Sequence, residues 1–268
     1  MLCTRLLREP HELQGIRIRD MPAKKNGKNG NGKEVVKAEK ADEFHALSEL
    51  DNFKELVAQN IGAGGISAFE LDRIQVPAGG SKMWTINTLE GEEAVNEIEG
   101  IIIHMTEPRS YWKTSFDEGG GSSPDCSSND GIMGMGRRFD DDEDEPHVCS
   151  SCQFAQFGSD DKGRGQACKA TKAIFMLLKD TLLPVVLTLP PGSLMNAKKY
   201  FLRLLSHGRS VDSVITKWEL DKAQNPDGIK YSKALPSSVR TLEPEEHLKV
   251  KKYAETMRPY LGGVSSSD

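Results

Sequence analysis

The chain has 268 residues, a formal net charge of −5 from 35 Lys+Arg against 40 Asp+Glu, and hydrophobic side chains at 37% of positions. Counted with Gly in place of Tyr, the apolar share is about 44%, just under the usual globular band, which excludes a wholly disordered chain. The longest apolar runs, 101–105 and 173–178, fall far short of the roughly 20 residues of a membrane helix, so no membrane partner is expected.

The apolar residues are unevenly spread. Residues 1–43 are polar, 116–146 are rich in Gly, Ser and Asp, and 262–268 read GGVSSSD. What remains suffices for one ordinary core and not for two. The expected organisation is a disordered basic N-terminal arm over 1–43, a single domain over 44–261 and a flexible C-terminus over 262–268. Arg8 and Glu9 directly follow Leu6 and Leu7, so no secretory signal is read. Met21 opens a natural-looking basic start, and 1–20 read as an upstream extension. Residues 21–40 carry six Lys and two Glu. Such a Lys/Gly/Asn tract buries too little to offset its chain entropy. It reads as a solubilising tail or as a loose phosphate-contacting arm.

Phe44, Leu47, Leu50, Phe53 and Val57 recur at helical spacing and predict a helix over 43–60, ended by Gly62. GAGG at 62–65 lacks the preceding strand of a phosphate cradle and reads as a loop. Short strands follow over 73–76, 82–88, 95–105 and 109–116, then the glycine-rich insertion, then strands over 170–178 and 184–189. Ser193 caps a helix over 193–207, and Gly208 ends it. Val214, Thr216, Trp218 and Leu220 alternate on one strand of a hairpin. Asn225-Pro226-Asp227-Gly228 turns it, and Ile229, Tyr231, Lys233 and Leu235 return. A last helix spans 244–258. The predicted class is α+β, mainly β: an OB-like Greek-key barrel with flanking helices and a zinc-binding insertion at about 116–169. A mixed α+β sheet is the structural competitor.

Besides Cys3, the cysteines read Cys126-x22-Cys149-x2-Cys152-x15-Cys168. The C-x-x-C turn and two distant partners offer four sulfurs to one tetrahedral ion, and a metal would order an insertion that has almost no apolar residues. Structural Zn2+ is therefore expected on Cys126, Cys149, Cys152 and Cys168, with His147 in reserve. Disulfides lack an oxidising context, and the polar Ser150-Ser151 pair does not suit a redox motif. Catalytic zinc of the deaminase kind is not supported: His104 and Glu107 are spaced H-x-x-E, and four thiolates close the site to water.

Aromatics beside cations mark a candidate surface for unpaired nucleic acid, whose bases stack and whose phosphates attract. Arg109, Tyr111 and Lys113 share one strand face and Trp112 the other. Phe157, Lys162, Arg164, Lys169 and Lys172 surround the last cysteine. Lys217, Trp218, Lys230 and Tyr231 lie on the final hairpin. Taken singly, each aromatic on an alternating strand reads first as core and only second as platform. Six consecutive acids at 140–145 (DDDEDE) read as a solvated loop, a strand mimic over a basic groove, or a protein contact.

Ser110-Tyr-Trp-Lys, Ser123-Pro-Asp-Cys-Ser-Ser-Asn-Asp-Gly, Cys149-Ser-Ser-Cys-Gln-Phe-Ala-Gln-Phe-Gly-Ser, Gly163-Arg-Gly-Gln-Ala-Cys-Lys and Leu189-Pro-Pro-Gly-Ser-Leu span about 109–235. In general design this stretch resembles zinc-containing single-stranded-DNA-binding proteins of phages and prophages, where a zinc insertion decorates an OB-fold. The resemblance implies coating of exposed strands in replication or recombination, contacts to replication or recombination proteins, and the cytoplasm of a bacterial host. The terminal SSSD departs from the long acidic tail such proteins commonly use. The expectation is a non-enzymatic binder of single-stranded DNA without sequence readout. The alternatives are a zinc-stabilised protein-interaction or transcription-regulating module of phage origin, and a metal-dependent nuclease using Asp117, Glu118, Asp125 and Asp130.

Overall fold

The computed structural model describes residues 44–48, 52–62, 66–114, 123–138 and 145–261. The expected basic arm, most of GAGG, Asp117 and Glu118, the acids before Glu145 and the C-terminus lie outside them. Within the span expected as one helix, the described residues form α1 (His45–Ser48) and α2 (Phe53–Asn60). Gly62, at φ +81°, ends α2 as its position predicts, with its N–H donated to the Ala58 carbonyl at 3.1 Å.

The strands are β1 (Arg73–Gln75), β2 (Trp84–Thr88), β3 (Gly91–Val95), β4 (Glu97–Thr106), β5 (Arg109–Tyr111), β6 (Cys126–Ser128), β7 (Met133–Gly136), β8 (Glu145–Val148), β9 (Lys169–Ala170), β10 (Lys172–Leu178) and β11 (Val185–Leu189). Helix α3 (Pro191–Ser206), strands β12 (Val214–Gln224) and β13 (Lys230–Thr241), and helix α4 (Pro244–Leu261) complete the chain. The fold is α+β and mainly β. The strand expected over 95–105 begins instead as β4 at Glu97, because residues 91–95 turn back at Gly91 (φ +125°) to pair with β2 as a separate hairpin.

Six strands form the main sheet in the order β1-β11-β10-β4-β12-β13, antiparallel except for β1 against β11. Strand period 2 divides its side chains between two cores. On one face Ile101, Ala173, Phe175, Leu177, Val186 and Ile215 meet α4 through Val250, Tyr253, Met257 and Leu261. On the other, Ile98, Ile102, Ile174, Met176, Leu187 and Trp218 meet Trp84 and Ala197 of α3. Trp84 is fully buried and donates its indole N–H to the Trp218 carbonyl at 3.0 Å.

The two edges of this sheet, β1 and β13, are brought together by the segment that follows β1. Ala78 makes an isolated antiparallel bridge to Tyr231, and Ser232 donates its hydroxyl to the Ser81 carbonyl at 2.8 Å. The sheet therefore curls, but no ladder joins its edges and no closed barrel forms among the described residues. The reason is local. Strand β1 has three residues, and Pro77, two residues past its end, offers no N–H to a ladder.

The cysteine-bearing stretch is more regular than its composition predicts. β6, β7 and β8 join β5 and β9 in a second antiparallel sheet of order β8-β7-β6-β5-β9. No helix among the described residues is long and apolar enough to cross a membrane.

Candidate functional site: a four-cysteine lobe beside a hairpin

The cysteines are delivered by three places in and beside the second sheet. Cys126 begins β6. Cys149 opens a 3-10 turn after β8, fixed by its N–H on the Ile132 carbonyl at 2.8 Å. Cys152 closes that turn through its N–H on the Cys149 carbonyl at 3.3 Å. Cys168 precedes β9, held by its N–H on the Phe154 carbonyl at 2.8 Å. All four line one cavity of about 20 Å³ together with Tyr111, Gly134 and Phe154. Gly134 leaves room for two of the sulfurs: a Cβ there would stand 3.1 Å from Cys126 Sγ and 3.5 Å from Cys149 Sγ. No disulfide joins the four to one another.

Burial pushes the Cys168 thiol up to about 11. The Arg109 guanidinium opposes that shift, and the neighbouring Cys152, Cys149 and Cys126 thiols add to it. The sulfurs thus share one environment. As placed, however, no group of three or more His, Cys, Asp or Glu side chains among the described residues could hold a metal ion. The lobe brings the four thiols around one space without drawing them onto a point. His147, the reserve ligand, is buried, with its Nε2 2.8 Å from the Gly136 carbonyl.

The aromatic candidates divide sharply. Tyr111 is 9% exposed and stacks on Phe154, ring centroids 4.4 Å apart and 18° from parallel, so it is the core of the lobe. Trp218 is fully buried in the main sheet. Phe157 is 80% exposed and Trp112 38%. Tyr231 is half-buried, packs close to Gly192 at the start of α3 and carries Lys233 Nζ 5.8 Å above its ring. The sequence missed this contact because its signal is only one cation two residues along a strand.

The cations divide too. Lys172 pairs with Glu107 at 2.5 Å, and that hydrogen bond holds the Glu107 carboxyl below its ordinary range. Lys217 is held by Glu97 at 3.1 Å and faces Glu219 at 3.8 Å. Arg109 has a buried Nη1 with no hydrogen-bond partner among the described residues. Lys113 gives its backbone N–H to Asp125 Oδ2 at 2.8 Å. Lys169 donates to the Gln166 carbonyl at 2.7 Å, and Lys230 is exposed at the start of β13.

Lys162 and Arg164 both reach Asp227, at 2.9 and 3.5 Å. Asp227 sits in the hairpin turn, 65 residues along the chain from Lys162. These contacts dock the loop that follows Phe157 onto the end of the β12–β13 hairpin. The loop is itself built: Gly158 N–H meets the Gly165 carbonyl at 2.6 Å, and Arg164 N–H meets Asp160 Oδ1 at 2.7 Å. Sequence reasoning passed over Asp227 and Asp160, reading the first only as a turn former.

The two described carboxylates of the nuclease alternative, Asp125 and Asp130, are occupied by local structure. Asp130 takes the Ile132 N–H at 2.8 Å, the Ser128 hydroxyl at 3.0 Å and the Met133 N–H at 3.2 Å, and these bonds lower its pKa. Asp125 holds the Lys113 N–H, and Asp117 and Glu118 lie outside the described residues. Compared with protein-family models, curated proteins and solved structures, the chain matches none.

Proposed function

We propose that this protein binds single-stranded nucleic acid, DNA in the first instance, without sequence readout and without catalysis. The observation that supports this reading is the Asp227 contact. It joins two aromatic and basic stretches that are far apart in sequence: Phe157 with Lys162 and Arg164, and Lys230 with Tyr231 and Lys233. Lys162 and Arg164 share the Asp227 carboxylate, which sets both cations beside Lys230 and Lys233 of the hairpin. An exposed phenyl ring beside cations is what an unpaired strand uses, through stacking and phosphate contact. The curled six-stranded sheet, bridged at its edges by one pair, is consistent with an open OB-like barrel. With the resemblance to phage zinc proteins, this suggests strand protection during replication or recombination in a bacterial cytoplasm.

The same reading assigns structural zinc to Cys126, Cys149, Cys152 and Cys168. Four unbridged thiols around a space of about 20 Å³ are a soft donor set, and the space holds about one water-sized sphere. Zinc would cross-link β6, the 3-10 turn and the approach to β9, stiffening the loop that carries Phe157.

The test is a fluorescence-anisotropy titration of labelled oligo(dT) at two salt concentrations. Binding at low salt that weakens steeply with salt, and that falls about tenfold in Phe157→Ala, is the expected result. No binding at low salt would reject the proposal. It would favour the interaction-module reading, which has its own support. Ile132, Met133, Met135 and Val148 are exposed, and Met133 and Val148 are cross-strand neighbours.

A further inference from the structure

A cleft of about 380 Å³ opens where the C-terminal end of α3 meets the start of β12 and the end of β13. This is the end of the hairpin away from its turn. With ten residue steps along β12, roughly 30 Å separates it from Asp227. It is therefore a second place on the molecule, independent of the strand-binding reading.

The cleft has the chemistry of an anion site with an apolar floor. Leu204 and Val214, both buried, form the floor. Ser237, Ser238 and Thr241 bring three hydroxyls from β13. The β12–β13 register shifts between Ile215 and Thr216, so that Thr216 faces Ser238 and Ile215 faces Arg240, with Val239 extra between them. A bulge of this kind re-aims side chains at a sheet edge. Tyr200 closes the inner wall, its hydroxyl 2.9 Å from Thr216 Oγ1.

Arg203 and Arg209 supply the charge, and no Asp or Glu lines the cleft. Neither guanidinium has a carboxylate partner among the described residues. The nearby Asp212 is engaged by His247 at 3.2 Å and by the Ser210 hydroxyl. Nor are the arginines needed to cap α3. Its last carbonyls already receive the backbone N–H groups of His207, Gly208 and Arg209, at 2.9 to 3.2 Å. Two guanidiniums without a carboxylate partner among the described residues, with the Ser237 and Thr241 side chains and a Ser238 hydroxyl that bonds Tyr200, thus surround a space of ligand size.

We propose that this cleft binds a phosphate ester of small-molecule size, with Arg203 and Arg209 on the phosphate, the Ser237 and Thr241 hydroxyls as further donors, and Leu204 and Val214 against the organic part. A nucleic-acid backbone offers the same phosphate chemistry, so the experiment has an arm for each source. Isothermal titration of the full chain with adenosine 5′-monophosphate and with adenosine is the measurement. The monophosphate is expected to bind saturably, adenosine not, and inorganic phosphate to compete. The double variant Arg203→Gln/Arg209→Gln should lose about tenfold or more in affinity with its melting temperature unchanged. Lys251→Gln, an exposed cation of α4, should bind like the native chain. Displacement of the monophosphate by oligo(dT) would assign the site to strand phosphates, and lack of displacement to free phosphate esters. Equal binding of adenosine and its phosphate, no binding of either, or native affinity in the double variant would overturn the proposal.

Discussion

Trp218 shows how one position decides between packing and recognition. Its place beside Lys217 suits a base platform, yet it is fully buried and its indole N–H finds no acceptor among the described residues. Trp218→Phe removes that unsatisfied donor while keeping most of the ring, so stability should change by no more than about 1 kcal/mol. Trp218→Ala should cost about 3–5 kcal/mol. Oligo(dT) affinity should be the same for native and Trp218→Phe, and a selective loss of affinity would return Trp218 to the surface. Gly136 is stricter. At φ +131° its Cβ would stand 2.1 Å from the Asp125 carbonyl oxygen and 2.8 Å from Cys126 Cα. Gly136→Ala should destabilise the lobe by about 3 kcal/mol or more, read as a shifted guanidinium midpoint. Glu246 gives the acid response. Two hydrogen bonds from Arg240, each 2.8 Å, bring its carboxyl from an ordinary 4.5 to about 2, against the opposing effect of burial. A carboxylate depressed in the folded state stabilises above its unfolded value and loses that contribution as pH falls through the folded one. The window therefore runs from about pH 4.5 down to about pH 2. With both side chains about one-third exposed, the contribution is discounted to about 1–2 kcal/mol. Glu246→Gln should flatten the stability profile across that window.

Between elements, the contact that matters most is α3 against β13. Ser193, read from sequence as a helix cap, lies inside α3 instead, because Pro190 and Pro191 start the helix earlier. Its hydroxyl, fully buried, accepts the Ala234 N–H at 3.0 Å, and Asn196 donates to the Ala234 carbonyl at 3.3 Å. The first turns of α3 thus occupy the open edge of β13, which otherwise presents unpaired backbone groups. Ser193→Ala leaves a buried N–H without a partner and should cost about 1–3 kcal/mol in urea unfolding. The hairpin and the Phe157 loop interact through exposed charges, so Asp227→Asn should change stability by less than about 1 kcal/mol. It removes the one anion shared by Lys162 and Arg164, so oligo(dT) should bind more tightly at low salt. Weaker binding would mean that the loop and hairpin are not one surface.

Across the whole molecule, what sequence made legible follows from periodicity. α3, α4, β10, β11 and β12 fall close to their predicted spans because apolar spacing and Gly or Pro punctuation agree there. On β12 the inward set Val214, Thr216, Trp218 and Leu220 is buried as alternation predicts. On β13 the buried set is Ser232, Ala234 and Pro236 rather than Tyr231 and Leu235, because small residues let α3 and the segment around Ser81 approach, a packing reason that hydrophobicity does not reveal. The second sheet was illegible for a similar reason. β6 and β7 consist of Cys, Ser, Met and Gly, whose order comes from pairing and from the Asp130 turn rather than from apolar alternation. The site was half legible: the four cysteines do meet around one cavity, while Tyr111 and Trp218 belong to cores and Lys172 and Lys217 to ion pairs. Everything proposed for the lobe stands on four sulfurs closing around one ion, and native mass spectrometry of the full chain measures this directly. One zinc per chain is expected, absent from Cys149→Ser/Cys168→Ser, with the native melting temperature falling on chelation. A metal-free native chain whose melting is indifferent to added zinc and to chelator would contradict it.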